Sequence, residues 1–220
     1  GSLHTVYRMT ISTGPFARNT FPLGVRRGQK TPVHLVGWGF GREQAARAAM
    51  VNPSGPRDVT WVGEKNLSAP VPVVVGNLTG HRETEPNGAA NTALSFEWPC
   101  AIHGRISFDD DEDRYLIAAK KGDKLRVRLR ASEFNSSLDP VLRIEGEGGK
   151  QLARDDDSGP RADAALDWTV PADGQFVIAV SDLIRTGSES HFYRLEIDQP
   201  RPRLTATHTP DRLVVEARKS

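Results

Sequence analysis

One cysteine, Cys100, stands in a sequence of 220 residues, so no internal disulfide can hold the fold and the compartment is left open. Long hydrophobic stretches are missing too. The longest apolar run lies near Val71 to Val75, too short to cross a bilayer. No signal peptide is visible, and Gly1-Ser2 reads as a cloning remnant, so targeting information is expected to have been cut away. Catalytic signatures are also lacking. None of the six histidines (His4, His34, His81, His103, His191, His208) has zinc-protease spacing. There is neither a Gly-x-Ser-x-Gly elbow nor a phosphate-cradling glycine loop. A Ser–His–Asp set can assemble in space without a motif, but the expectation from the sequence is a chain that is not an enzyme.

What is present is ordinary for a folded globular protein: 37% hydrophobic and 26% charged residues. The 20 Gly and 15 Pro are spread along the chain, which excludes collagen and favours many turns between short elements. The net charge of +1 hides a division. Residues 1–80 hold nine Lys/Arg and three Asp/Glu, residues 81–198 hold 15 and 23, and residues 199–220 hold five and two. A change of sign near residue 80 predicts two domains with different surfaces. The acidic part repels phosphate and the basic part lacks a recognisable binding motif, so no nucleic-acid partner is expected.

Strand patterns recur at Val33–Val36, Val59–Val62, Val71–Val75, Tyr115–Ala118, Leu125–Leu129, Phe176–Val180 and Tyr193–Ile197, separated by Gly/Pro/Asp turns. Short strands at this spacing predict an all-β protein of two antiparallel β-sandwich domains. The clearest alternation is Lys124 to Arg130, which buries Leu125, Val127 and Leu129 and exposes four cations. Arg42 to Met50 competes: its four alanines favour helix, with an irregular strand as the alternative. Val6 to Ile11 echoes Phe192 to Ile197, as a closing strand of a preceding repeat would.

From residue 83 a family order emerges. Glu83-Thr84-Glu85-Pro86-Asn87 is followed by Ile102 to Ile106, the acidic run Asp109 to Asp113, and Tyr115 to Asp123. Ser137 to Leu142, Leu152 to Asp157, Val170 to Val180 and Tyr193 to Ile197 complete it. This succession resembles the bacterial pre-peptidase C-terminal domain over residues 83–198, and roughly 13–78 more loosely resembles an immunoglobulin-like or TIG-type domain. The expected organisation is 1–12 closing a preceding repeat, 13–78 immunoglobulin-like, 79–198 jelly-roll-like, and 199–220 a linker into a following domain. The resemblance implies a non-catalytic binding or spacer module of a larger exported bacterial protein, at the cell surface, outside the cell or in the periplasm. It implies a role in adhesion or substrate capture, with a polysaccharide, an extracellular protein or neighbouring domains of the same polypeptide as partners. An accessory region of a secreted peptidase or other hydrolase is the alternative.

Glu83 and Glu85 alternate on one side of an extended segment with Asn87 two positions on, and Asp111 and Asp113 alternate likewise. Oxygen donors gathered from two segments are what Ca²⁺ requires. Related collagenase modules bind calcium through the matching stretches, so the resemblance implies Ca²⁺ held by Glu83, Glu85, Asn87, Asp111 and Asp113. Gly88 departs from the pattern, standing where those modules tend to offer another acid. A solvated charge run is the competing reading. Asp155, Asp156, Asp157 and Asp163 read instead as turn caps, and the row Lys124, Arg126, Arg128, Arg130 as either an anion grip or a face neutralised by cross-strand acids. Cys100 reads as a buried small hydrophobe. The four tryptophans (Trp38, Trp61, Trp98, Trp168) are core anchors or, if exposed, a stacking surface for sugars.

Overall fold

The computed structural model describes residue 11 and residues 13–39, 48–51, 59–63, 70–89 and 91–200. Its first six strands are β1 (Phe16–Phe21), β2 (Gly24–Arg26), β3 (Thr31–Trp38), β4 (Ala48–Val51), β5 (Val59–Val62) and β6 (Val71–Gly76). They form two three-stranded sheets, ordered β1-β3-β4 and β2-β6-β5. Alternation sets the facing: Val33 and Leu35 of β3 point inward and meet Val71, Val73 and Val75 of β6. Each such side chain contributes about 1.5–3 kcal/mol when fully buried.

Ten more strands follow. They are β7 (Thr79–Arg82), β8 (Leu94–Ser95), β9 (Cys100–Arg105), β10 (Glu112–Ala119), β11 (Lys124–Arg130), β12 (Pro140–Glu145), β13 (Gln151–Asp155), β14 (Ala165–Thr169), β15 (Gly174–Asp182) and β16 (Phe192–Asp198). Two five-stranded sheets result, β13-β12-β15-β10-β8 and β14-β11-β16-β9-β7. Their shared core holds Tyr115, Ile117, Leu125, Val127, Leu129, Ile178, Val180, Tyr193, Leu195 and Ile197. The fold is all-β, and no α-helix occurs among the described residues. The long pairings are antiparallel; β2 with β6, β7 with β9 and β8 with β10 pair in parallel. No helix among the described residues is long and apolar enough to cross a membrane.

Residues 48–50 depart from the helical expectation for 42–50. Ala48–Val51 is a strand, paired antiparallel with β3 from His34↔Ala48 to Thr31↔Val51. Ladder bonds to β3 and burial of Val51 outweigh an alanine propensity worth only tenths of a kcal/mol per residue. Residues 42–47, Val6–Thr10 and the segment beyond residue 200 lie outside the described residues.

β16 is buried on both faces. Tyr193, Leu195 and Ile197 face the sandwich core, while Phe192, Arg194 and Glu196 face the first pair of sheets. There Phe192 joins Leu23, Val74 and Phe134 in one buried cluster. Close approach requires glycine: a Cβ on Gly24 would lie 2.7 Å from Arg194 Nη1.

Candidate metal centre

Glu83 follows β7 directly, and Asp113 lies on the inward face of β10 in line with Tyr115 and Ile117. The structure brings Glu83, Glu85 and Asp113 together, one carboxylate oxygen of each lying within 4.8 Å of the others. Glu83 Oε1 accepts from the Arg105 backbone N–H at 2.5 Å, and Oε2 accepts from the Tyr115 hydroxyl at 3.0 Å. The Tyr193 hydroxyl donates to Asp113 Oδ2 and lies 2.5 Å from that of Tyr115. Burial, then mutual repulsion and shared hydrogen bonding, raises the Asp113 carboxyl above its ordinary range; burial likewise raises that of Glu83. Both tyrosine hydroxyls are pushed well up by burial and then by the neighbouring carboxylates.

Asn87 is fully buried, its backbone N–H donating to Glu85 Oε2 at 3.0 Å. Its Oδ1 and Nδ2, and Asp113 Oδ1, are buried without a hydrogen-bond partner among the described residues. Leaving such groups unmatched costs about 1–3 kcal/mol each. Asp111 is placed differently: its Oδ2 accepts from the Ser107 backbone N–H at 2.6 Å, a loop-capping role beside the cluster. Gly88 has a steric reason, since a Cβ there would lie 2.8 Å from the Glu112 carbonyl oxygen, so an acid does not fit this backbone.

Tyr115, Tyr193, Gly104 and Arg105 also border the site, although the sequence marked them only as members of strand motifs and not as site residues. Both tyrosines occupy inward strand positions, where an aromatic reads as core, and only their hydroxyls reach the cluster. A Cβ on Gly104 would collide with Glu83 Oε2 and the Tyr193 hydroxyl. The donors are all hard oxygens, and two buried oxygens, Asp113 Oδ1 and Asn87 Oδ1, have no partner among the described residues. That set fits a divalent cation of the calcium type, which takes six to eight oxygen ligands.

The other clusters resolve into structural roles. Asp155 accepts from Ser158 and Ala165 N–H, and Asp163 from Ala131 and Ser132 N–H. Arg126 pairs with Asp167, Arg128 with Glu196, and Arg130 with Glu133 and Glu196, so cross-strand acids neutralise most of the basic row. Cys100 is fully buried, and burial pushes its thiol to about 12. Trp38 and Trp61 are exposed, whereas Trp98 and Trp168 pack against the larger core. Ser188 Oγ lies 2.8 Å from His191 Nδ1, but it also accepts from Ser190 N–H within the same tight turn. That is turn bracing.

The fold and site define a double β-sandwich with an oxygen-lined acidic cluster beside β7. No protein-family model matches the chain, and no curated protein matches it. Among solved structures it is similar to the pre-peptidase C-terminal domain of a Bacillus anthracis collagenase, at 11% identity and a TM-score of 0.39, covering 53% of this chain and 100% of that one. It is also similar to PliG of Aeromonas hydrophila, a periplasmic inhibitor of g-type lysozyme (19% identity, TM-score 0.35, 55% of this chain and 95% of that). A third is CorA of Methylomicrobium album BG8, a surface-associated copper-binding protein (11%, 0.37, 56% and 98%). At these scores the likenesses assign neither a family nor a function to the chain.

Proposed function

We propose that this chain is a non-catalytic binding or spacer piece of a larger exported bacterial protein. In this reading Ca²⁺ pins the segment after β7 to the second sandwich through Glu83, Glu85, Asn87 and Asp113. The observation that supports it is the pair of buried, unpartnered oxygens, Asp113 Oδ1 and Asn87 Oδ1, in the neighbourhood of three converging carboxylates. Carboxylates crowd together only at the expense of repulsion or protonation, and a cation removes that cost. Glu83 and Asp113 orient their oxygens through the two tyrosines, Glu85 supplies the exposed side, and the bound ion contributes charge neutralisation rather than chemistry. Asp111 holds the adjoining loop. A location outside the cytoplasm and an extracellular protein or polysaccharide partner belong to the same proposal.

The test is thermal unfolding in millimolar Ca²⁺ against chelator, for the parent chain and for Glu85→Gln and Asp113→Asn. Calcium a hundredfold above its dissociation constant is expected to add about 2.7 kcal/mol to the parent, and much less to either variant. Equal melting temperatures with Ca²⁺ and chelator in the parent would show that the cluster holds no calcium and overturn this reading.

A further inference from the structure

A concave feature lies between β2 and β3 on one side and β7 and β9 on the other. It encloses about 400 Å³, within the range of small-ligand pockets. Its walls include Arg26, Thr31, His34 and Arg82, its floor Gly80 and His103, and no Asp or Glu lines it among the described residues. Arg114, Arg126, Arg128, Arg130 and Arg143 pair with carboxylates, whereas Arg26 and Arg82, like Arg18 and Arg105, make their printed side-chain contacts to neutral groups among the described residues. Among the described residues the Arg26 side chain makes one long hydrogen bond, to Thr79 Oγ1 at 3.5 Å. Arg82 reaches the Phe21 carbonyl at 3.4 Å, with its guanidinium over the Phe21 ring. Both guanidinium groups keep donors to spare.

His103 is buried, and burial followed by the nearby Arg194 and Arg82 charges holds it neutral. Leu23 N–H lies 3.3 Å from its Nδ1 and Arg194 Nη1 3.0 Å from its Nε2. A neutral imidazole accepts at one nitrogen only, so one of these contacts sets N–H against N–H. Gly80 keeps the floor open, because a Cβ there would approach His103 Nε2 to 3.3 Å.

We propose that this pocket binds a small molecule through an oxyanion group, a carboxylate or a phosphate, held between the guanidinium groups of Arg26 and Arg82 above the Gly80–His103 floor. Planar guanidinium forks match both anions. The pocket shares no ligand residue with the calcium proposal, although Arg82 adjoins Glu83 and the His103 carbonyl accepts the Glu83 backbone N–H, and it gives a role to part of the positive charge that the first 80 residues carry.

The experiment is an NMR titration of the ¹⁵N-labelled chain with inorganic phosphate and, separately, with glucuronate, using glucose and chloride as controls. Saturable shifts at the Arg26, Thr31 and Gly80 amides are expected with one or both anions, and the tighter of the two identifies the headgroup. The double variant Arg26→Ala/Arg82→Ala should bind at least tenfold more weakly while melting within a few degrees of the parent, both side chains being exposed. If that variant does not fold, Arg82→Gln and the parent shift map decide the matter. Shifts confined to other surfaces, equal affinity in the variants, or no saturation with either anion would overturn the proposal.

Discussion

Phe134 of the second sandwich and Leu23 of the first lie fully buried in one cluster, with Val74 and Phe192 completing it. Polar contacts frame it: Asn19 Nδ2 donates to the Phe134 carbonyl at 2.6 Å, and Arg18 Nε to that of Asn135 at 3.1 Å. Phe134→Ala should therefore cost about 3–5 kcal/mol and loosen the coupling between the two halves. Denaturant unfolding followed by tryptophan fluorescence and by circular dichroism reads this out. A loss below about 1 kcal/mol, on the scale of an exposed substitution, would mean the halves do not share this core.

The Glu196 carboxylate receives Arg194 Nε at 2.8 Å, Arg128 Nη2 at 2.6 Å and Arg130 Nη1 at 3.1 Å. Burial pushes this acid up, but Arg194 and Arg130 outweigh it and hold the carboxyl at about 2. The unfolded chain titrates near 4.3, so the folded state binds fewer protons between the two values. The resulting stability, on the order of 3 kcal/mol, is complete above about pH 4.5 and lost as pH falls through about 2. Glu196→Gln should cost about 3–5 kcal/mol at neutral pH, because Arg194 is left buried without its counter-ion. It should also flatten the acid limb. Urea unfolding at pH 7, 4 and 2.5 compares the two curves, and an unchanged acid limb would contradict the assignment.

Arg126 provides the contrast on the same strand. Its pairing with Asp167 is solvent-exposed, so Arg126→Ala should change stability by less than about 1 kcal/mol. A larger loss in thermal unfolding would show that the basic row is part of the core framework.

Strict alternation made β11 legible, since Leu125, Val127 and Leu129 could only share one face. The valine-rich run of β6 was legible by its continuous apolar character instead. The double burial of β16 was not, because Arg194 and Glu196 read as solvent-facing until another sandwich covers them. In the acidic cluster, the alternation Glu83-x-Glu85 and Asp111-x-Asp113 located the carboxylates. It left open that Asp111 turns to cap Ser107 while Asp113 enters the core, since β10 begins at Glu112 and its inward face starts at Asp113. Tyr115 and Tyr193 stayed hidden because a hydroxyl at the rim of a core looks, in sequence, like any other inward aromatic. Arg26 and Arg82, which pair with no carboxylate among the described residues, come from strands far apart in sequence, and only the fold sets them around one cavity.

Gly104 offers a way to separate general packing from ion binding. It sits in β9 with extended backbone, so an added methyl strains no dihedral; its Cβ would instead strike Glu83 Oε2 and the Tyr193 hydroxyl. Tyr193 is fully buried and cannot swing out, so Glu83 must yield. Gly104→Ala should destabilise the chain by about 1–3 kcal/mol and abolish the calcium-dependent rise in melting temperature. Gly122→Ala is the matched control: Gly122 has φ of +87° with open space around it, so alanine there costs about 1–2 kcal/mol through backbone strain alone. That variant should melt earlier yet keep the full calcium increment. Retention of the increment in Gly104→Ala would place any calcium bound by this chain somewhere other than the Glu83–Asp113 cluster.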